Sequence, residues 1–287
     1  MKTKIKRKKE NVLVRFIAEQ KLGFASLLII TLMIFIAIFA SKVAPYDPIA
    51  TDFENNMSRP SLEHLLGTDE LSRDIFSRII FATRTSLIMG FAPTTINMII
   101  GTIVGVLSGL SGKIVDAIIM RIVDIILSFP FIILAMAIVY NFGPSLFNLF
   151  LALVLVGWAG IARVVRAETI ALKENTYIEA AKSMGVSKFT IMYRHILPNI
   201  ISTLIVLYTM KVPQAILAEA GLSFLGFGAQ PPATSLGVMV SKGRTYLFDA
   251  PWISIAPGVF ILIIAMSFNF LGDSLRDMLD SSTRDVR

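Results

Sequence analysis

The stretch EAAKSMG at positions 179–185, followed by RHILPN at 194–199, is a polar segment between two long apolar runs. A chain embedded in a membrane has little reason to place polar helices there unless another protein docks on them. Ala180 and Ala181 are small enough for a partner backbone to approach closely. The segment therefore predicts a docking surface at one side of a membrane, and the apolar runs around it decide the fold.

The composition is that of a membrane protein. Of 287 residues, 55% are hydrophobic and 16% are charged, and the mean hydropathy is +0.72. Ordinary soluble domains carry about 25% charged residues. The chain has no cysteine, which excludes a disulfide framework and a thiolate metal site.

Five apolar runs predict six membrane spans, since a helix needs about 20 residues to cross the hydrocarbon core. The run at 125–162 is too long for one helix, and Asn141-Phe142-Gly143-Pro144 divides it into two. The other four runs are 24–41, 85–111, 200–224 and 253–271. We expect an all-α protein with six transmembrane helices.

The charges orient these spans. Residues 1–22 carry eight Lys or Arg and two acids, which by the positive-inside rule places the N-terminus in the cytoplasm. With six spans, both termini are then cytoplasmic. A cleaved signal peptide is the alternative, but the first run is longer than a usual signal core and more spans follow.

This orientation divides the chain into four parts. We expect a basic cytoplasmic tail at 1–22, a first span at 23–43, an extracellular segment at 44–84, and a five-span core at 85–287. The core contains the docking segment at 168–199. The protein is predicted to be a multi-pass component of the cell (inner or plasma) membrane, in contact with lipid.

Local signals predict two helices in the docking segment. Thr176 and Glu179 fit a capping box, Gly185 suits the left-handed position that ends a helix, and Ser187 can cap a second helix that continues to Pro198. The alternative is a plain capped hairpin on the membrane surface, in which Glu179 is only a cap.

Six basic residues around the segment admit two interpretations. They could meet an acidic groove on a cytoplasmic partner, or face lipid head groups. These residues are Arg163, Arg166, Lys173, Lys182, Lys188 and Arg194.

Five groups of residues, in order along nearly the whole chain, resemble the permease subunits of ABC importers, and in particular the peptide and nickel permeases of the dipeptide/oligopeptide permease C type. The groups are HLLGTD at 64–69, RIVD at 121–124, EAAKSMG at 179–185, EAGLSFLG at 219–226 and GDSLRD at 272–277.

The resemblance implies a type I ABC importer permease fold. It also implies a second homologous permease subunit, two cytoplasmic ATPase subunits and an extracellular substrate-binding protein as partners. The docking segment would couple ATP hydrolysis to the spans through Glu179, Ala180, Ala181, Gly185, Leu197 and Pro198.

The chain itself is not expected to be an enzyme or to bind a cofactor. ATP would be used by the partner subunits, because GLSGKI at 109–114 lacks the spacing and the Ser or Thr of a phosphate-binding loop. The two histidines, His64 and His195, lie on opposite sides of the membrane and cannot form a joint metal site. We find no catalytic constellation and no reason to expect nucleic acid as a partner.

The resemblance favours small peptides as substrates, with nickel or a chelated transition metal as the near alternative. An ion-driven secondary transporter or a channel is the alternative of another class, and a membrane scaffold is a third. Ion-driven transport would favour intramembrane carboxylates and internal repeats, and the central spans are almost free of acids.

Lys211 and Glu219 are the candidate pathway residues. Lys211 lies about 17 Å along the span that starts near Ile200, close to the midplane, and Glu219 lies about 12 Å further out. Charges at this depth usually face an interior or a watery cavity. The alternative is that Lys211 snorkels or pairs with a group of the partner.

Gly101, Gly105 and Gly109 recur every four residues in the second span, which allows close contact between helices in lipid. The stripe predicts packing either within this chain or against the partner permease.

The predicted orientation can be tested by cysteine labelling, which is clean because the native chain has no cysteine. A cysteine introduced near Asp52 should react with an impermeant maleimide added outside intact cells. One near Lys182 should react only after the cells are opened. The reverse pattern would contradict the orientation.

Overall fold

The structure, a computed structural model, describes residue 16 and residues 19–51 and 55–284, with side chains described up to 279. Most of the predicted basic tail at 1–22, and Asp52, lie outside the described residues. The helices are α1 (Lys21–Ile38), α2 (Ala40–Val43), α3 (Ile75–Leu110), α4 (Lys113–Ser128), α5 (Phe131–Phe142), α6 (Leu146–Lys173), α7 (Thr176–Ser183), α8 (Lys188–Ile191), α9 (Leu197–Phe224), α10 (Leu236–Gly243) and α11 (Trp252–Arg284).

Five helical stretches in the described part are long and apolar enough to cross a membrane, and α4 with α5 raises the number to six if that bent pair is one span. The five are α1, α3, α6, Lys188–Phe224 and Trp252–Leu279. An all-α protein with up to six spans agrees with the sequence prediction.

The span that the sequence placed between Ile125 and the break at Asn141 is not one continuous helix. Helix α4 ends at Ser128, α5 begins at Phe131, and the two helices meet at 87°. The break has a local cause, because a residue before proline is pushed out of the helical region, and Phe129 before Pro130 is extended. Helix α5 alone has 12 residues, about 18 Å, which is too short to cross.

Helix α3 is longer than the predicted span at 85–111. It has 36 residues and begins at Ile75, where the Asp74 side chain accepts a hydrogen bond of 2.7 Å from the backbone of Ser77. An aspartate at this position satisfies amides that a helix leaves unpaired at its start. The first ten residues of the helix fall in the segment that the sequence predicted to be extracellular.

The glycine stripe of α3 lies against α6 of the same chain. A Cβ at Gly101 would lie 2.7 Å from Ile161, one at Gly105 would lie 2.6 Å from the carbonyl oxygen of Ala162, and one at Gly109 would lie 2.7 Å from Thr169. Each distance is shorter than a van der Waals contact. The two helices therefore approach more closely than any side chain at these positions allows.

The sequence predicted that the helix before Pro198 ends at this proline. The structure shows that it does not. A π-helical turn at Met192–Ile196 joins α8 to α9, and Pro198 lies in the first turn of α9. A proline in a regular α-helix removes a hydrogen bond and clashes with the preceding turn. A π turn is a local widening of the helix, so the chain continues from Lys188 to Phe224.

Candidate translocation cavity and docking surface

A cavity of about 500 Å³ lies between α3, the α4–α5 bend, α6 and α9. Its walls are mostly apolar, and the bend supplies Phe129 and Phe131. The polar side chains among its lining residues are Thr94, Asn97, Lys211 and Gln214.

Lys211 is the cation of this cavity. Its side chain is half-buried, and its Nζ donates a 3.0 Å hydrogen bond to Oε1 of Gln214, one turn along α9. Among the described residues no carboxylate lies within ion-pair distance of Lys211. A bound anion would therefore meet a positive charge that is oriented by Gln214 and not neutralised by an acid of the described chain.

Glu219 does not share this cavity, which corrects the sequence prediction that grouped it with Lys211. Its side chain is fully buried. Its oxygens accept hydrogen bonds from Ser86 (3.2 Å) and Ser223 (2.6 Å), and the Ser86 hydroxyl also accepts one of 3.3 Å from the backbone of Leu236. Glu219 therefore joins α3, α9 and α10.

The docking segment has one buried side and one exposed side. Ile178 and Ala181 are buried, and Ile178 packs in a cluster with Val165 of α6 and Ile200 of α9. Glu179 and Ala180 are exposed. The expectation that both alanines admit a partner is corrected for Ala181, because its position on the helix turns it toward its own chain.

Cap geometry agrees only in part with the sequence prediction. The capping box is wrong, because α7 starts one residue earlier than predicted, with Asn175 instead of Thr176 at its N-cap, and no side chain caps it. The predicted cap of α8 is confirmed, since the Ser187 hydroxyl accepts a 3.2 Å hydrogen bond from the backbone of Thr190.

Gly185 has φ +78°, which confirms the predicted left-handed turn. The backbone of Gly185 donates to Lys182, and that of Val186 donates to Ala181. This is the pair of hydrogen bonds with which a glycine commonly ends a helix.

Large apolar side chains on the exposed side of the segment were missed by the sequence interpretation. Their exposed fractions are 47% for Tyr177, 76% for Met184, 71% for Phe189 and 67% for Tyr193. Exposed apolar patches of this kind mark sites of interaction. The sequence signal that could have revealed this surface is the presence of four large apolar residues within a polar stretch.

The basic residues near the segment divide into two groups. Arg163 forms an ion pair of 2.6 Å with Asp124, and Arg166 forms one with Asp116. Lys173 donates to the carbonyl oxygen of Gly109 at 3.2 Å. These three side chains hold α6 against α3 and α4, whereas Lys182, Lys188 and Arg194 are exposed.

Residues 101–285 match the family model for the inner membrane component of binding-protein-dependent transport systems. The chain belongs to this family. Residues 13–62 of the permease also match the N-terminal transmembrane domain of oligopeptide transport permease C.

Relatives of this permease cover most of its length. It is 43% identical to the dipeptide transport system permease protein DppC of Alkalihalophilus pseudofirmus, over 91% of this chain and 86% of that protein. It is 42% identical to the glutathione transport system permease protein GsiD of Pectobacterium atrosepticum, over 91% and 87%. It is 41% identical to the probable D,D-dipeptide transport system permease protein DdpC of Escherichia coli, over 90% and 87%.

The fold of the permease is also similar to a solved one. A structure of the inward-facing MetNI methionine ABC transporter aligns with a TM-score of 0.57 at 24% identity, over 70% of this chain and 95% of that chain. The family is the membrane component of ABC transport systems and not an enzyme, since ATP hydrolysis lies in separate subunits.

At the opposite end of the bundle from the docking segment, charged residues just before α3 and in its first turn form a cluster of ion pairs. Arg73 pairs with Asp69 at 2.7 Å, Arg78 pairs with the same carboxylate at 3.3 Å, and Nδ1 of His64 lies 3.0 Å from Asp74. Within the described part of the chain no group of three His, Cys, Asp or Glu could hold a metal ion. These ion pairs fix residues 64–74 to the start of α3.

We expect Gly185→Leu to impair ATP-driven uptake while the permease still reaches the membrane. A side chain in the left-handed conformation costs about 1 kcal/mol or more. Nothing lies within 4 Å of a Cβ at this position in the chain itself, so the added bulk would obstruct only a docked partner.

Gly185→Asn is the matched control, because asparagine tolerates this conformation and replaces glycine in such turns. It should keep most of the uptake. Copurification of the ATPase subunits, measured beside uptake, should fall for the leucine variant. Normal copurification and normal uptake for Gly185→Leu would contradict the prediction.

Proposed function

We propose that this permease forms half of the translocation pathway of an ATP-driven importer of small peptides. The observation that carries the proposal is that relatives 41–43% identical over nine-tenths of the chain are named for dipeptides, D,D-dipeptides and glutathione. All of these substrates are short peptides with free carboxylates.

The cavity has chemistry that suits such substrates. Lys211 offers a positive charge to a carboxylate, and the apolar walls tolerate side chains of different kinds. A lysine facing lipid near the midplane would cost roughly 2.5 kcal/mol or more. A position on a watery cavity removes most of that cost, which supports a pathway role for Lys211 and not for Glu219.

The proposed partners are those that the family implies, and each is assigned to one surface of the helix bundle. We infer a second homologous permease beside the chain and two ATPase subunits against the docking segment, with Glu179, Ala180, Gly185, Leu197 and Pro198 at or near the contact. An extracellular binding protein would deliver substrate to the opposite end. This arrangement places both termini in the cytoplasm of a cell whose inner or plasma membrane holds the permease.

The other candidate functions have less support. Nickel import is not favoured, because the relatives described above are named for peptides. An ion-driven secondary transporter is not favoured either, because the family works with separate ATPase subunits.

The proposal is tested by uptake into proteoliposomes that contain the permease, its partner permease and the ATPases, with the binding protein supplied on the substrate side. Labelled dialanine should accumulate only when ATP is present on the ATPase side. Accumulation of nickel ions without accumulation of dialanine, or dialanine uptake without ATP, would overturn the proposal.

Lys211→Met should lower dialanine uptake about tenfold or more, because a hydrogen bond to a charged group contributes about 1.5–3 kcal/mol. Methionine keeps an unbranched side chain of similar length and removes the charged amine. Lys42→Met, an exposed position outside the cavity, is the matched control and should leave uptake unchanged. Full uptake of every peptide by Lys211→Met would show that Lys211 has no part in translocation.

A further inference from the structure

A second cavity, separate from the translocation cavity, is an apolar groove between α1 and α3. Its volume is about 790 Å³. Helix α1 contributes Ile34, Ala37 and Ile38 near its end, and α3 contributes one face from Arg84 to Ile96. Among the residues that line this groove, Arg84 alone is charged.

The groove has about the length of one membrane leaflet. From Arg84 to Ile96 helix α3 rises about 18 Å, and half of a hydrocarbon core of about 30 Å is about 15 Å. Arg84 is the last charge before the uncharged run at 85–111, and the first charge after the span of α1 is Lys42. Arg84 therefore lies at the membrane interface, and the rest of the groove lies in hydrocarbon.

Beyond Arg84 the wall of the groove is apolar. Thr95 has the only hydroxyl among the lining residues. This hydroxyl lies 2.8 Å from the carbonyl oxygen of Phe91 and 2.8 Å from the hydroxyl of Tyr208, so its hydrogen bonds are made within the chain. An occupant of this part of the groove meets hydrocarbon, which suits an acyl chain.

Arg84 brings a positive charge that the described chain does not neutralise. Arg73 and Arg78, near the start of α3, both pair with Asp69. Arg84 is exposed, and in the described part of the chain no carboxylate lies within ion-pair distance of it. A guanidinium presents a fork of donors that matches two oxygens of a phosphate. The interface end of the groove therefore complements an anionic headgroup.

The groove and the translocation cavity lie on opposite faces of α3. The cavity is lined by Pro93, Thr94 and Asn97. At 3.6 residues per turn, the mean direction of these three residues lies about 160° from that of the α3 residues in the groove. The partner permease of the proposed function lies across the cavity, so the groove faces away from that subunit and toward lipid. This step rests on the proposed function.

We propose that the groove between α1 and α3 binds one anionic glycerophospholipid from the leaflet opposite the docking segment. The phosphate accepts hydrogen bonds from the guanidinium of Arg84. One acyl chain lies along α3 toward Ile96. A lipid with a net negative headgroup is favoured over a zwitterionic one, because no acid of the described chain balances Arg84.

The site can be tested in the assembled transporter, held in nanodiscs of phosphatidylcholine without ATP or substrate. A trace of phosphatidylglycerol or of phosphatidylcholine with a diazirine in one acyl chain is added, and after irradiation the labelled peptides are mapped by mass spectrometry. Phosphatidylglycerol should label residues 84–96 about fivefold more than phosphatidylcholine, which is the strength with which a basic residue attracts an anionic lipid.

Arg84→Gln should abolish the preference for phosphatidylglycerol and leave labelling by phosphatidylcholine unchanged. Arg59→Gln is the matched control, since Arg59 is exposed in the segment before α3 and does not line the groove. Ala92→Phe should lower labelling of residues 84–96 by both lipids, because the ring fills the path of the acyl chain. Its control is Ile99→Phe, at an exposed position of the same helix outside the groove.

Three results would overturn the proposal. Equal labelling by the two lipids, or a preference that Arg84→Gln leaves intact, would assign this face to exchanging bilayer lipid. Unchanged labelling in Ala92→Phe would show that no acyl chain occupies the groove.

A helix of another subunit is the competing occupant. Ile88 lines the groove and is 53% exposed, and Ile88→Cys gives the chain a single cysteine that can carry a benzophenone. Irradiation should produce an adduct with phospholipid. A cross-link to another subunit in place of the lipid adduct would also overturn the proposal.

Failure of the lipid site and failure of the proposed function are distinguishable, because the labelling does not require transport. If ATP drives no dialanine uptake while phosphatidylglycerol labels the groove selectively, the proposed function is wrong and the lipid site stands. If uptake is ATP-dependent and the labelling shows no preference, the lipid site alone is wrong.

Discussion

The contact between α3 and α6 is the constraint on which the other described parts depend. Gly101, Gly105 and Gly109 bring the two helices so close that backbone and side-chain atoms of α6 occupy the space of the missing side chains. Apolar side chains gain little from association in lipid, because lipid tails are equally apolar, so close packing of small residues is a main source of stability there. This contact sets the position of α3, and α3 in turn contacts α9 through Ser86 and Glu219.

The cavity and the docking surface are connected through the same helices. Helices α6 and α9 both line the cavity, and both contribute to the apolar cluster that buries Ile178 of the docking segment. The pair Asp116–Arg166 and the hydrogen bond from Lys173 to Gly109 hold the nearby ends of α3, α4 and α6 together. A partner that moves the docking segment would therefore move cavity walls directly.

The sequence was sufficient for the features that depend on composition and on single residues. Apolar runs predicted six spans, and the described residues contain five, or six if the bent pair α4–α5 is one span. Gly185 and Ser187 predicted a turn and a cap because each residue type satisfies a specific backbone geometry. The bend at Phe129–Pro130 also has a sequence signal, since proline restricts the residue before it. The sequence prediction nevertheless divided the long apolar run at 125–162 only at Asn141-Phe142-Gly143-Pro144.

Features that depend on contacts between distant helices were not predictable. Glu219 looked like a pathway residue because an acid within a span is rare, and only the positions of Ser86 and Ser223 show that it is buried in the protein. Asn97 has no sequence signal of its own, because its hydrogen bond to Leu153 and its close fit beside Gly157 depend on another helix. Likewise, the inward side of α7 could not be known before α6 and α9 were in place.

The most direct test of this account is the stability of Gly105→Val in detergent-purified permease. A Cβ at this position would lie 2.6 Å from the carbonyl oxygen of Ala162, and overpacking of this kind costs about 1–3 kcal/mol. The account predicts a lower thermal unfolding midpoint than for the native chain. Gly221→Ala, in a helix where nothing lies within 4 Å of the added Cβ, should not lower it. An unchanged midpoint for Gly105→Val would contradict the claim that the contact between α3 and α6 sets the architecture.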